Sequence, residues 1–365
     1  MLGANTQKNL RKYIGVIKDS TSVGLVKVNS DYKNLDIAVV KATSHFKVLP
    51  KEKHVRTIFD AIRIGQKQTD VLYCIQALAR RLAKTHNWVV ALKTLIVIHR
   101  ALREVESTLS EELINYGRHT SKMLNLIHFR DESSQDAWEY STWIRSYALF
   151  LEERLECFHV LNYDIELAPS NTRFLDITVL LEHLSALQQL LFRLLECKPQ
   201  AVTMDNFMIQ HALKMISGEC LNIFNAIYNG TINLTEKFFE LQLHTAVRSL
   251  DIYKKATDQM EKLSEFYELC IRIGTATGEN FVKIEQPLMM LENMETHVKN
   301  AAASAMQNGP ILIMDQQISS SREVEGEEFG SNDFWQSHPI QKSVSLDSLT
   351  SEDSPCSKES NILIS

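Results

Sequence analysis

Four residues near the N-terminus have the types and spacing to hold phosphate. Lys41 falls late in a short helical stretch over about residues 35–47, and Lys51, Lys53 and His54 open the next stretch directly after Pro50. A tight turn between the two stretches would bring both sets together. Lysine ammonium groups supply compact, multi-donor positive charge. His54 donates one ring N–H, or two when an adjacent phosphate favours the imidazolium form. A helix start adds unpaired backbone N–H groups and a positive dipole end. Together these groups suit an exposed site for a doubly phosphorylated inositol ring. The same residues also fit an ordinary solvated helix junction, and from the residues alone both readings stand. Lys8, Arg11, Lys12, Lys47 and Arg56 lie nearby in the sequence and add general attraction to an anionic surface.

Other chemistries find no footing. The sequence holds no Gly-rich phosphate loop, G-x-S-x-G elbow, HExxH, kinase signature or DDxxD cluster. His86, His99, His183 and His211 sit in or beside helical stretches without a His or Cys partner at metal spacing, so they read as single, locally satisfied histidines. No catalytic residue, metal or cofactor is expected. Residues 1–60 carry 11 Lys and Arg against 5 Asp and Glu, while the whole chain of 365 residues is net −6. A basic end on an acidic body points to an anionic partner met at one end. Nucleic acid is not expected, because the chain is acidic overall and carries no known binding motif.

The elements that must position these residues are helices. Glycine (12) and proline (7) are scarce, and no proline interrupts the chain between Pro50 and Pro169. Apolar periodicity predicts helices over roughly 69–84, 87–106, 108–127, 135–160, 174–197, 203–228, 231–274 (one long helix or two) and 283–305. Leu180, Leu181, Leu184, Leu187, Leu191, Leu194 and Leu195 form one broad stripe, stopped by Lys198-Pro199. Asn229-Gly230 reads as a helix stop and turn. Leu10, Tyr13, Ile14 and Ile17, interleaved with cations, predict a basic amphipathic first helix that packs on the domain. The run WVVALKTLIVIH is interrupted by Lys93 and reads as a core helix, not a membrane span. No period-two strand pattern occurs. The predicted fold class is all-α, an α-solenoid or irregular bundle over about residues 1–305.

From about residue 306 to 365 the character changes. Residues 316–365 hold 13 serines, 9 acidic residues and 3 basic ones, a composition too polar to offset the entropy of ordering, which predicts a disordered, acidic, Ser-rich tail. Ser345, Ser348 and Ser354 are candidates for phosphorylation there. The six cysteines are scattered without a CxxC pair and read as small buried thiols of a reducing compartment. The N-terminus has no apolar h-region, so a cytoplasmic chain is expected, with any membrane contact peripheral and the sequons at Asn229 and Asn233 silent.

The Lys41–His54 spacing resembles the K-x9-K-x-[KR]-[HY] motif of the ANTH family, the phosphoinositide-binding adaptors of clathrin coats. The likeness extends through DIAVVKATSH, NWVVALKTLIVIHRALRE, YSTWIRSYALFLEER, IYNGTINLTEKFFEL and SLDIYKKATDQMEKLSEF, in family order, from about residue 25 to 300. The resemblance implies a right-handed helical superhelix that binds phosphatidylinositol 4,5-bisphosphate, with Lys41, Lys51, Lys53 and His54 as headgroup ligands. Glu52 departs from an all-basic motif, and at the variable position it is expected to point away from the lipid. The resemblance further implies clathrin and adaptor-complex partners, cargo selection, and a vesicle SNARE helix held against the 203–300 region. It implies residence at clathrin-coated pits and vesicles and at the Golgi or trans-Golgi network. In the tail, Ile311 to Asp315 loosely resembles a clathrin box, with Leu312, Met314 and Asp315 as contacts. Phe329 and Asp333-Phe334-Trp335 are expected to offer an aromatic-acidic hook, with Phe334 and Trp335 as its contacts. The rival reading is a helical protein-interaction scaffold whose basic end meets an acidic protein without lipid or clathrin contact.

Overall fold

The computed structural model describes residues 14–24, 32–63, 65–105, 108–120, 123–277 and 289–307. Among these, regular structure is helical throughout and no strand occurs. The helices are α1 (14–24), α2 (Lys33–Ala42), α3 (Glu52–Asp60), α4 (Gln68–Lys84), α5 (Trp88–Glu104) and α6 (Thr108–His119). They continue as α7 (Gln135–Leu161), α8 (Ile177–Leu195), α9 (Phe207–Lys237), α10 (Leu243–Arg272) and α11 (Met289–Gln307), with short 3₁₀ turns at Thr172–Phe174, Ala201–Thr203 and Phe238–Glu240. No described helix is long and apolar enough to cross a membrane.

The helix expected to be core from its composition is the central one. α5 is buried from Trp88 through His99 without interruption, as a helix that is apolar on every face must be. It packs against α2, α4, α6, α7 and α9. The Asn87 side chain caps it by accepting from Val90 N–H, and the Asp131 carboxylate accepts from Trp88 N–H at 2.9 Å. Ser134 and Asn206 cap α7 and α9 in the same way. α7 stops at Asn162, whose backbone turns left-handed at φ 59°.

The leucine stripe of α8 is buried from Leu180 to Leu194, and packs against α7, α9 and α10. Two amides brace α8 to α10. Gln188 Nε2 donates to the Ile252 carbonyl at 2.7 Å, and Gln259 Nε2 donates to the Gln188 carbonyl at 2.6 Å. A small second core of Phe238, Ala246, Leu250, Tyr253 and Met294 joins α10 to α11.

One expectation is overturned. Asn229-Gly230 does not stop a helix, because α9 runs unbroken from Phe207 to Lys237. Gly230 is there for packing: a Cβ on it would stand 2.7 Å from Leu184 Cδ2 and 3.2 Å from Thr172 Cβ. α8 and the Thr172 turn therefore approach α9 closer than any larger residue permits. Asn233, one turn on, is buried and donates its amide to the Thr172 and Leu175 carbonyls at 2.9 and 3.0 Å. That sequon is part of the fold. The cysteines expected to be buried are so at Cys74, Cys157, Cys197, Cys220 and Cys270, all free thiols.

Candidate functional site

α2 and α3 pack directly on each other. The segment 43–50 joins them, so Lys41 in the last turn of α2 lies near the start of α3. Lys51 is the N-cap residue of α3 and takes extended backbone angles, φ −72° and ψ 127°. Its carbonyl accepts from His54 N–H at 2.9 Å, while no side chain caps the helix. The N–H groups of Glu52 and Lys53 thus stand at an open helix start.

Lys41, Lys51 and Lys53 are exposed, and His54 is half-buried among them. The His54 ring is held below the ordinary histidine range, first by burial and then by the positive charges of Lys53, Lys41 and Lys51. The positive charges of all three lysines act on one imidazole, which puts the four residues in one electrostatic neighbourhood at the α2–α3 junction. Among the described residues, no acidic side chain reaches Lys41, Lys51 or Lys53 to form an ion pair. Glu52 sits between two of them and faces away. Its carboxylate takes Arg100 of α5 at 2.9 Å and Arg56 at 3.5 Å. The Arg100 hydrogen bond holds that carboxyl below the usual range.

The supporting cations separate on inspection. Arg56 is tied to Glu52 and contributes less free charge than its sequence position suggests. Lys47 is exposed, with its ammonium 5.4 Å from the centre of the Trp88 ring. Lys8, Arg11 and Lys12 lie outside the described residues, as do Leu312, Met314, Asp315, Phe334 and Trp335 and nearly all of the predicted tail.

Sequence reasoning missed the residues that hold the connecting segment. Lys93, in the middle of the buried face of α5, donates from Nζ to the Ser44 carbonyl and hydroxyl, each at 3.1 Å, and to the Phe46 carbonyl at 3.4 Å. Burial pushes its pKa down to about 8, against the pull of Asp19 and with the repulsion of Arg81 and Lys51. Arg81 donates to the Thr43 hydroxyl and carbonyl at 2.9 Å each, and to Asp19 at 3.0 Å. Asp19 of α1 also accepts from His45, at the backbone N–H (2.9 Å) and at Nδ1 (2.8 Å). Gly15 lets α1 come this close, since a Cβ there would stand 2.7 Å from His45 Cβ. The one signal that could have found Lys93 was a single charge inside an otherwise apolar run.

A second polar cluster lies deep between α5, α7 and α9. His99 Nε2 donates to Glu219 at 2.8 Å, and its Nδ1 is 2.7 Å from the Tyr147 hydroxyl. Arg154 pairs with Glu219 at 3.2 Å and with Asp164 at 3.1 Å. Burial pushes the Glu219 carboxyl up, but Arg154 and His99 pull it further down, to about 2. Burial lowers the His99 pKa, against the pull of the Glu219 carboxylate. Glu219 and His99 are both 0% exposed, so this constellation meets no substrate.

A model of the ANTH domain matches residues 34–300 of the chain. The "Putative clathrin assembly protein At5g57200" of Arabidopsis thaliana is 49% identical over 311 residues, which is 82% of this chain and 52% of that protein. The clathrin coat assembly protein AP180 of Arabidopsis thaliana is 26% identical over 389 residues, covering 94% of this chain and 59% of its own length. The chain spans about half the length of the curated relatives it matches. Among solved structures, the ENTH domain of epsin-2 in complex with phosphatidylinositol 4,5-bisphosphate is similar at a TM-score of 0.49 and 18% identity, over 70% of this chain and 98% of that one.

Proposed function

The chain belongs to the ANTH domain family, and from that premise we propose that it is a non-enzymatic adaptor that grips phosphatidylinositol 4,5-bisphosphate on a membrane and helps assemble clathrin coats there. The observation that carries the lipid half is the convergence of Lys41, Lys51 and Lys53 on His54 at an uncapped helix start. An inositol bisphosphate neutralises like charges that the described protein leaves unneutralised. It also supplies acceptors for the open N–H groups of α3. Glu52 does not oppose this, because Arg100 and Arg56 occupy it.

The clathrin half follows from the names of the relatives. Leu312, Met314, Asp315, Phe334 and Trp335 are the candidate coat contacts of this chain. An adaptor complex and a vesicle SNARE helix are further partners of the same reading, and coated pits, vesicles and the Golgi its places of work. Each contact is weak alone. Several made together raise one another's effective concentration and hold the adaptor at the membrane.

Co-sedimentation with vesicles tests the lipid half. Phosphatidylcholine vesicles carrying the bisphosphate lipid are expected to capture the chain, and soluble inositol trisphosphate to release it. Unchanged capture by the Lys51→Glu/Lys53→Glu variant refutes the site. For the coat half, pull-down with the clathrin terminal domain is expected to weaken in Leu312→Ala/Met314→Ala and in Phe334→Ala/Trp335→Ala. Full retention in both removes those residues as contacts.

A further inference from the structure

The segment that joins the two lysine sets has an unusual tip. Turns exposed to water favour Gly, Asn, Asp and Ser. Here the tip reads Phe46-Lys47-Val48 and is closed by Val48 N–H donating to the Phe46 carbonyl at 2.8 Å, a three-residue turn. Phe46 is 43% exposed and Val48 47%. Ile14 and Ile17 of α1, exposed by 43% and 63%, open onto the same groove, whose volume is about 1290 Å³. Scattered apolar residues on a surface need no explanation. Four that share one groove with Lys18, Lys47, Arg80 and Lys84 form a patch, and such patches mark contact surfaces.

The tip is also held firmly. Lys93 carries the Ser44 and Phe46 carbonyls from beneath, Arg81 carries Thr43, and Asp19 carries His45. A buried ammonium with a lowered pKa is a costly support for a loop that has no work to do. Lys93 also senses the charge of Lys51, so the support of the tip and the first residue of the phosphate cluster are electrostatic neighbours.

We propose that Phe46 and Val48 are a membrane-inserting tip, which enters the boundary between headgroups and acyl chains of the same leaflet whose inositol phosphates the Lys41–His54 cluster grips. The inference rests on the headgroup reading given above. The occupant is a lipid surface because only that partner offers anionic phosphate and hydrocarbon in adjacent layers, which is the order this loop presents. Lys41 and Lys51 flank the tip in the chain, and Lys47 stands between Phe46 and Val48 in the sequence. Long cationic side chains keep their heads at the phosphate level while apolar neighbours pass below it. The tip then converts a purely electrostatic attachment, which salt screens, into one with an apolar component, which it does not.

The test uses the full chain with three probes: phosphatidylcholine vesicles with the bisphosphate lipid, the same vesicles without it, and soluble inositol trisphosphate. Phe46→Ser/Val48→Ser is expected to lose roughly ten- to fifty-fold in affinity for the bisphosphate vesicles. Its affinity for soluble inositol trisphosphate and its melting temperature are expected to match the wild type. In Phe46→Trp, brominated acyl chains are expected to quench fluorescence beyond the wild-type level on vesicle binding. Equal vesicle affinity of the double variant and the wild type, or no added quenching, overturns the tip while leaving the headgroup grip intact. A wild-type chain that binds vesicles equally with and without the bisphosphate lipid, and takes up no inositol trisphosphate, sinks the headgroup grip itself and the tip with it.

Discussion

The cluster around His54 and the cluster around Glu219 are built from the same stock of side chains, histidine, basic residues and a glutamate, yet they answer opposite demands. At Glu219 every charge has an opposite partner within the protein: Arg154 meets Glu219 and Asp164, and His99 lies between Glu219 and Tyr147. The group is sealed from water, and its charges are paired inside it. At His54 three lysines repel one another and the imidazole, and the one acid in the run is turned away to Arg100. A perturbed histidine marks function only when its neighbours leave the charge balance open. Burial shifts both rings downward, but only His54 is shifted further by neighbours that a ligand could neutralise.

The sharpest way to break this contrast is to open the closed cluster. Glu219→Gln leaves Arg154 and its neighbours with an uncompensated buried positive charge. Removing one partner of such a network costs about 3–5 kcal/mol, so a fall of that size in unfolding free energy is expected in denaturant titration. A change under about 1 kcal/mol would show that Asp164 alone suffices for Arg154, and that the network is not closed as described. The converse experiment adds negative charge to the open cluster. Lys51→Glu/Lys53→Glu is expected to weaken binding to bisphosphate vesicles by about 2–3 kcal/mol, roughly a hundred-fold, with the melting temperature unchanged because both side chains are exposed.

What the sequence disclosed follows the same divide. The open cluster was legible because it is local: Lys41, Lys51, Lys53 and His54 lie within fourteen positions around Pro50, and a turn suffices to gather them. The helices were legible from periodicity, most clearly the stripe of α8 and the apolar run of α5. The closed cluster was not. His99, Tyr147, Arg154, Asp164 and Glu219 come from four separate stretches, and nothing periodic links them, so His99 read as a lone histidine. Gly230 was misread for a related reason. A glycine that admits Leu184 and one that ends a helix look alike until the neighbouring helix is in place. Arg100, which turns Glu52 from the lysines, sits 48 positions away and gave no local sign.

Lys93 ties the two regions together, because it lies on α5 with His99 but serves the loop of the open cluster. Lys93→Met keeps the bulk and removes the donor, leaving the Ser44 and Phe46 carbonyls without it. An unsatisfied buried acceptor costs about 1–3 kcal/mol, partly offset by relief from burying an ammonium. A net loss of about 1–2 kcal/mol is expected. The pH dependence has a definite sign. The folded pKa of about 8 lies below the ordinary 10.5, so between those values the unfolded chain binds more protons and stability from this group rises with pH. Wild type is therefore expected to gain on Lys93→Met as pH increases through that window. Parallel pH curves for the two chains would place the Lys93 ammonium in solvent.

The smallest effect, and the finest discriminator, belongs to His54. In the free protein its ring is held below the ordinary histidine pKa, so it is neutral at pH 7. Bound phosphates would cancel the repulsion of Lys41, Lys51 and Lys53 and raise that pKa, which makes binding take up a proton. His54 therefore strengthens vesicle binding as pH falls from the raised bound-state pKa, and its contribution levels off below the lowered free-state one. The phosphates themselves work against this, since they gain protons near pH 6 and lose charge. The raw profile mixes both effects, and only the difference between wild type and His54→Gln isolates the ring. That difference is expected to grow about two- to five-fold on acidification through the window, the size of one added hydrogen bond to a charged group at an exposed site. If the two profiles run parallel, His54 does not face the phosphates, and the open cluster is a cluster of three.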